Sequence, residues 1–101
     1  MHASTAGQGR FLGKWKVGNG LGGFFYITLE RDGIARKTFG SPHGTWVVVD
    51  EEARITWDDG WRDAIRKAGS RYEKVAFSPG TTFADQPNHT PSAESVDRQP
   101  I

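Results

Sequence analysis

The sequence predicts an all-β domain, a small antiparallel meander barrel or strongly curved sheet of about six to seven strands with disordered termini. Three observations predict it. Short aromatic and β-branched runs alternate with turn residues between positions 12 and 78, and the turns recur about every 8–12 residues, the spacing of a meander. Two of the turns carry Asp32-Gly33 and Asp59-Gly60, and Asp-Gly is among the strongest short hairpin signals. All four Trp, five of the six Phe and both Tyr fall between positions 11 and 78. A domain so small buries only about 60% of its chain surface, so it needs large side chains for a core.

The elements follow in order. Lys14-Trp15-Lys16-Val17 is a weak first strand, and Gly18-Asn19-Gly20-Leu21-Gly22-Gly23 is a glycine-rich loop. Residues 24–30 form a second strand, with Phe25, Ile27 and Leu29 on one face and Tyr26, Thr28 and Glu30 on the other. Arg31-Asp32-Gly33 turns the chain into a return strand over residues 34–39. Gly40-Ser41-Pro42-His43-Gly44 reads as a loop, residues 45–50 as a strand and Glu51-Glu52-Ala53 as a polar turn. Arg54-Ile55-Thr56-Trp57 pairs back and ends at Asp58-Asp59-Gly60. Residues 61–68 contain good helix formers, and Gly69 sits where a glycine ends a helix. Eight residues make a marginal helix, however, and hairpin turns flank both ends, so this piece is read as strand. Residues 71–77 are the last strand.

Composition shifts twice and divides the chain into three. Residues 1–10 are small and polar and read as a disordered segment; residues 11–78 are the β-barrel domain. Residues 79–101 hold Pro79, Pro87, Pro91 and Pro100 among polar residues, and Phe83, Val96 and Ile101 recur at neither strand nor helix spacing. Such a segment cannot bury enough surface to offset its ordering entropy, so it reads as a disordered tail or linker.

Charge and composition exclude several classes. The chain carries 13 Lys+Arg against 12 Asp+Glu, a net +1, with no Cys. Residues 10–78 hold 12 basic against 9 acidic residues, a balance of +3. Nucleic-acid binding through phosphate neutralisation shows a larger basic excess, so no nucleic-acid partner is expected. Without Cys there is no disulfide, thiolate nucleophile or Cys-based metal site. No apolar run approaches the ~18 residues of a membrane span, and residues 1–10 lack the apolar core of a signal peptide. No membrane association is expected, and the cytoplasm is the default compartment.

Gly13-Lys14-Trp15 after Leu12, and Gly44-Thr45-Trp46 later, repeat a Gly-x-Trp unit. Between them Tyr26-Ile27-Thr28-Leu29-Glu30-Arg31 leads into Asp32-Gly33; after them Ile55-Thr56-Trp57-Asp58 leads into Asp59-Gly60. Over residues 12–77 this order resembles the small bacterial lipocalin-like domains and, more loosely, the calycin group that includes the avidins. The resemblance implies a β-barrel with Trp15 across its closed end and one small ligand inside. Those families have eight strands, and fewer strands enclose less space, so a filled interior, or an open sheet that pairs through its edges, is the competing expectation.

Trp15, Phe25, Trp46, Trp57, Trp61 and Arg62 are the candidate ligand contacts. For Trp15, Trp46 and Trp57 the bland reading is core packing. Trp61 follows a turn and adjoins Arg62, a pairing of residue types enriched at interfaces. The 18–23 loop lacks the Gly-Lys-Ser/Thr ending of a phosphate loop and runs into a strand, so it reads as a flexible lid. Asp58, Asp59, Asp63, Glu51 and Glu52 do not match a calcium-loop spacing, and Asp58 and Asp59 are simpler as turn residues. His43 is the only His within the domain and has no partners for a catalytic arrangement. Trp57-Asp58 occurs once, which excludes a propeller repeat. Lys14-Trp15-Lys16 and Arg71-Tyr72-Glu73-Lys74 interleave basic and aromatic residues as single-strand-binding barrels do, but neighbouring acids dilute the field.

The sequence therefore points to a non-catalytic module that binds a small apolar or aromatic molecule, gated by the 18–23 loop, without metal or cofactor. The alternative is a protein-interaction or structural β module with a filled core, contacting a protein partner or a second copy through an edge strand or the Trp61-Arg62 surface. An interior void of a few hundred Å³ discriminates the two.

Overall fold

Each strand pairs antiparallel with the next in the chain, and the last pairs with the first. The computed structural model describes residues 8–19, 21–38, 40, 43–83 and 92–97. The strands are β1 (Gly13–Gly18), β2 (Phe24–Leu29), β3 (Ile34–Lys37), β4 (His43–Val49), β5 (Glu52–Trp57), β6 (Arg62–Ala68), β7 (Arg71–Phe77) and β8 (Ser92–Asp97), and they close into a barrel. The all-β antiparallel meander barrel expected from the sequence is the observed fold. Seven strands over residues 13–77 match the expected series, and residues 62–68 are strand rather than helix because both edges of β6 are paired. One helical turn, α1 (Gln8–Phe11), precedes β1, and no described helix is long and apolar enough to cross a membrane.

The boundaries need correction at both ends. β8 lies within the stretch 79–101 that the sequence assigns to a disordered tail. It pairs with β1 from Lys14↔Asp97 to Val17↔Ala93 and with β7 at Tyr72↔Ala93 and Glu73↔Ser92. Its Ser-Ala-Glu-Ser-Val-Asp sequence has little β signature; the hydrogen-bonding edges of β1 and β7 supply what propensity does not. Residues 78–83 also belong to the domain. Phe83 packs on Phe77 with ring centroids 5.4 Å apart, in a cluster with Ala64 and Val75 on the outer face of β6 and β7. At the other end, α1 falls partly within residues 1–10. Four residues cannot hold a helix by themselves; burial of Phe11 anchors this one. The remainder of both predicted disordered segments, residues 1–7, 84–91 and 98–101, lies outside the described residues.

Up-and-down topology gives the barrel two unlike ends. The tight turns after β2, β4 and β6 gather at the end where α1 enters, and the longer connections after β1, β3, β5 and β7 gather at the other. The first end is plugged. Phe11, Trp15 and Tyr72 contact one another edgewise or tilted, with centroids 5.2–6.2 Å apart. Trp15 Nε1 donates to Phe11 O at 2.8 Å, and Trp46 Nε1 donates to Glu30 O at 2.8 Å, so both buried indoles are satisfied. Val17, Ile27, Leu29, Ile55 and Ile65 fill the middle. Gly44 lets Trp57 lie close, since a Cβ there would sit 2.6 Å from Thr56 O and 2.7 Å from Trp57 Cε3. The second end is the mouth, and it is where the interior stops being apolar.

Candidate functional site: a charged cavity at the barrel mouth

A cavity of about 280 Å³ opens at the mouth. Phe25 of β2, Lys37 of β3, Asp63 of β6 and both Lys74 and Ala76 of β7 wall it. Asn19 and Leu21 of the first loop and Asp59 and Trp61 of the β5–β6 loop form its rim.

Local sequence shapes that rim. Asn19 Oδ1 accepts from the backbone N–H groups of Leu21 at 2.7 Å and Gly23 at 3.0 Å, folding the glycine-rich loop on itself. Gly22, with φ of +89°, supplies a backbone conformation that other residues rarely adopt. The loop leaves Leu21 almost fully exposed at the cavity's edge. In the β5–β6 turn, Gly60 has φ of +94° and its N–H donates to Trp57 O at 3.1 Å. Asp59 Oδ1 accepts from Trp61 N at 3.0 Å. That turn brings Trp61 to the cavity's rim.

The wall is set by register. Asp63 pairs with Ala76 and Ile65 with Lys74, which places Asp63, Lys74 and Ala76 on the inner face of β6 and β7. The Asp63 and Lys74 side chains are only 5% and 3% exposed. Asp63 Oδ2 accepts from Trp57 Nε1 at 2.8 Å, and Asp63 Oδ1 stands 3.9 Å from Lys74 Nζ. Lys74 Nζ also lies 4.9 Å from the centre of the Phe25 ring. Lys37 Nζ sits 4.4 Å over Trp57 and 5.9 Å from Phe25. Burial pushes the Lys74 ammonium below the ordinary lysine range; Asp63 opposes that and Lys37 adds to it. Among the described residues, the Lys74 ammonium makes no hydrogen bond, and its one ion-pair partner is Asp63.

Of the residues singled out from sequence, Phe25 and Trp61 line this cavity. Trp15 and Trp46 are core residues toward the plugged end. Trp57 stands behind the wall, holding Asp63 and carrying Lys37 on its face. Arg62 is directed elsewhere, because its Nη1 donates to Thr81 O at 2.8 Å on the outside of the barrel. His43 is exposed on β4 and is not part of the cavity. No group of three or more His, Cys, Asp or Glu able to hold a metal comes together among the described residues. Sequence reasoning missed Lys37, considered Lys74 only within a basic-aromatic run on the surface, and considered Asp63 only as a metal ligand. A charged residue within a strand reads as solvent-facing, and only the strand register shows otherwise.

The chain matches no protein-family model, no curated protein and no solved structure. Function is read from the site's own chemistry. The cavity offers aromatic faces from Phe25 and Trp61, ammonium donors from Lys37 and Lys74, and one carboxylate already engaged by an indole.

Proposed function

We propose that the protein is a non-catalytic binding module for a small apolar or aromatic molecule, held at the barrel mouth between Phe25 and Trp61. The observation that carries this reading is the cavity of about 280 Å³. It lies just below the range of small-molecule sites, which run roughly 300–1,000 Å³ and combine apolar walls with a few placed polar groups. Eight-stranded up-and-down barrels that hold one small ligand are the architecture of lipocalins and streptavidin. The eight strands, the plugged end at Trp15 and the open mouth support a lipocalin-like reading of this chain. The 18–23 loop, which brings Asn19 and Leu21 to the rim, is the gate. The partner is a small molecule rather than a nucleic acid or a membrane.

The alternative, a protein-interaction module, draws on one observation: Leu21 and Phe24, at the mouth end of the barrel, are 90% and 61% exposed. Closure of the barrel by β8 leaves little edge for strand pairing, which weighs against self-association by that route.

Native mass spectrometry of the protein purified from cell extract tests the reading. The expected result is a retained small-molecule mass that is lost from Trp61→Ala. A bare dimer transfers the function to the interaction module, and a bare monomer overturns the ligand reading.

A further inference from the structure

We propose that the mouth cavity selects a small organic anion, a flat apolar body bearing one carboxylate whose oxygens accept from the ammonium groups of Lys74 and Lys37. The inference rests on the cavity being a ligand site and adds the chemistry of what it takes.

The first ground is Lys74. Its side chain is 3% exposed, it lines the cavity, and the carboxylate oxygen nearest its Nζ is 3.9 Å away. That is outside hydrogen-bond range, so three N–H donors are held in a buried place without an acceptor among the described residues. Burying a charged donor group in this way is unfavourable. An oxyanion in the cavity removes that penalty, and charge-assisted bonds of this kind are the strong ones.

The second ground is the charge count. Two ammonium groups, Lys37 and Lys74, face the interior against one buried carboxylate, Asp63. Asp63 is held by the Trp57 indole through Oδ2. Lys37 rests on the Trp57 ring and has no ion pair among the described residues. Asp59 is a rim residue, exposed and engaged with the Trp61 backbone. At the wall, away from the Asp59 rim, the two ammonium groups thus outnumber the carboxylate by one, which suits a monoanion there. A cation would meet two ammonium groups, and a dianion such as phosphate would bring more negative charge than the interior can match.

The third ground is shape. Phe25, Trp61 and Ala76 leave apolar surface beside the two ammonium groups. A planar ring carrying a carboxylate satisfies both, with the ring on the aromatic faces and its charge directed at Lys74.

Matched pairs of probes test this: benzoate against benzamide, and phenylacetate against phenylacetamide, titrated into the full chain by tryptophan fluorescence and ligand-observed NMR. Each carboxylate is expected to bind at least about tenfold more tightly than its amide, the size expected of a hydrogen bond to a charged group. Lys74→Met and Lys37→Met are each expected to remove most of that preference while leaving amide binding in place. Amides that bind as well as carboxylates overturn the anion selection and leave the ligand cavity standing. Absence of binding by all four probes overturns both. A preference that survives in both variants also overturns the proposal. Should Lys74→Met fail to fold, the wild-type comparison and Lys37→Met, at a half-exposed position, still decide it.

Discussion

Lys74 carries the most information of any single residue in the barrel. Its folded-state proton affinity is lowered, chiefly by burial, with Asp63 on β6 opposing and Lys37 on β3 reinforcing. The unfolded chain therefore binds that proton more tightly than the folded one. Stability contributed by this group rises with pH, through the lowered folded value and up to the ordinary lysine value of 10.5. The wild-type protein is expected to gain stability relative to Lys74→Met as pH rises toward 10.5, measured by denaturant unfolding at a series of pH values. Parallel curves for the two proteins would show that Lys74 is not buried in its charged form. None of this is visible in the sequence. Simple alternation through Glu73-Lys74-Val75-Ala76-Phe77 turns Val75 and Phe77 inward, as the apolar pair. In the molecule they face out, and Phe83 covers Phe77 there. An apolar residue six positions beyond the strand takes the role that solvent would have had, and parity inverts. By contrast, the indoles of Trp15 and Trp46 were legible as core, since a domain this size has no other way to fill its interior.

At the scale of elements, the Asp-Gly hairpins are where local chemistry and structure agree. Gly33 has φ of +87°, its N–H donates to Glu30 O at 3.1 Å, and Asp32 Oδ1 accepts from Ile34 N at 3.0 Å. The β4–β5 hairpin is different. The sequence reads Glu51-Glu52-Ala53 as the turn, but β5 begins at Glu52 and the turn is Asp50-Glu51. Both residues have positive φ, +51° and +62°, in a two-residue connection. That conformation suits Asn-Gly, and a non-glycine residue there costs about 1–2 kcal/mol. Glu51→Gly is expected to stabilise the protein by about 0.5–1 kcal/mol, after allowance for the greater flexibility of glycine in the unfolded chain. Thermal unfolding measures it, and a loss of stability would mean that Glu51 contributes something the turn geometry does not show. The register was misread because no glycine marks the turn. The pairing of Val49 with Glu52 is set by the strands on either side, not by the turn residues.

For the whole molecule the decisive element is β8. Among the described residues the β7–β8 seam pairs at Tyr72↔Ala93 and Glu73↔Ser92, while β8 pairs with β1 along most of its length. Removing residues 92–101 would expose the edge of β1 and one side of Tyr72. Such a truncation is expected to lower the denaturant midpoint clearly and to speed amide exchange in β1, read by hydrogen exchange, while the β4–β5–β6 hairpins stay protected longest. Unchanged protection in β1 would show that closure contributes nothing to the fold. The same closure determines that there is a mouth, and therefore a cavity, at all.

By itself the sequence determined the class: alternating runs, turn chemistry and clustered aromatics permit little but a small antiparallel meander, because these signals act between residues close along the chain. Only the tertiary structure decided that the meander closes through an eighth strand, that Phe25 and Trp61 line one cavity while Arg62 turns away, and that Lys37, Asp63 and Lys74 face inward. Those outcomes depend on the register between strands distant in sequence and on which face a later segment covers. A one-residue shift would turn each of these side chains to the opposite side of the sheet.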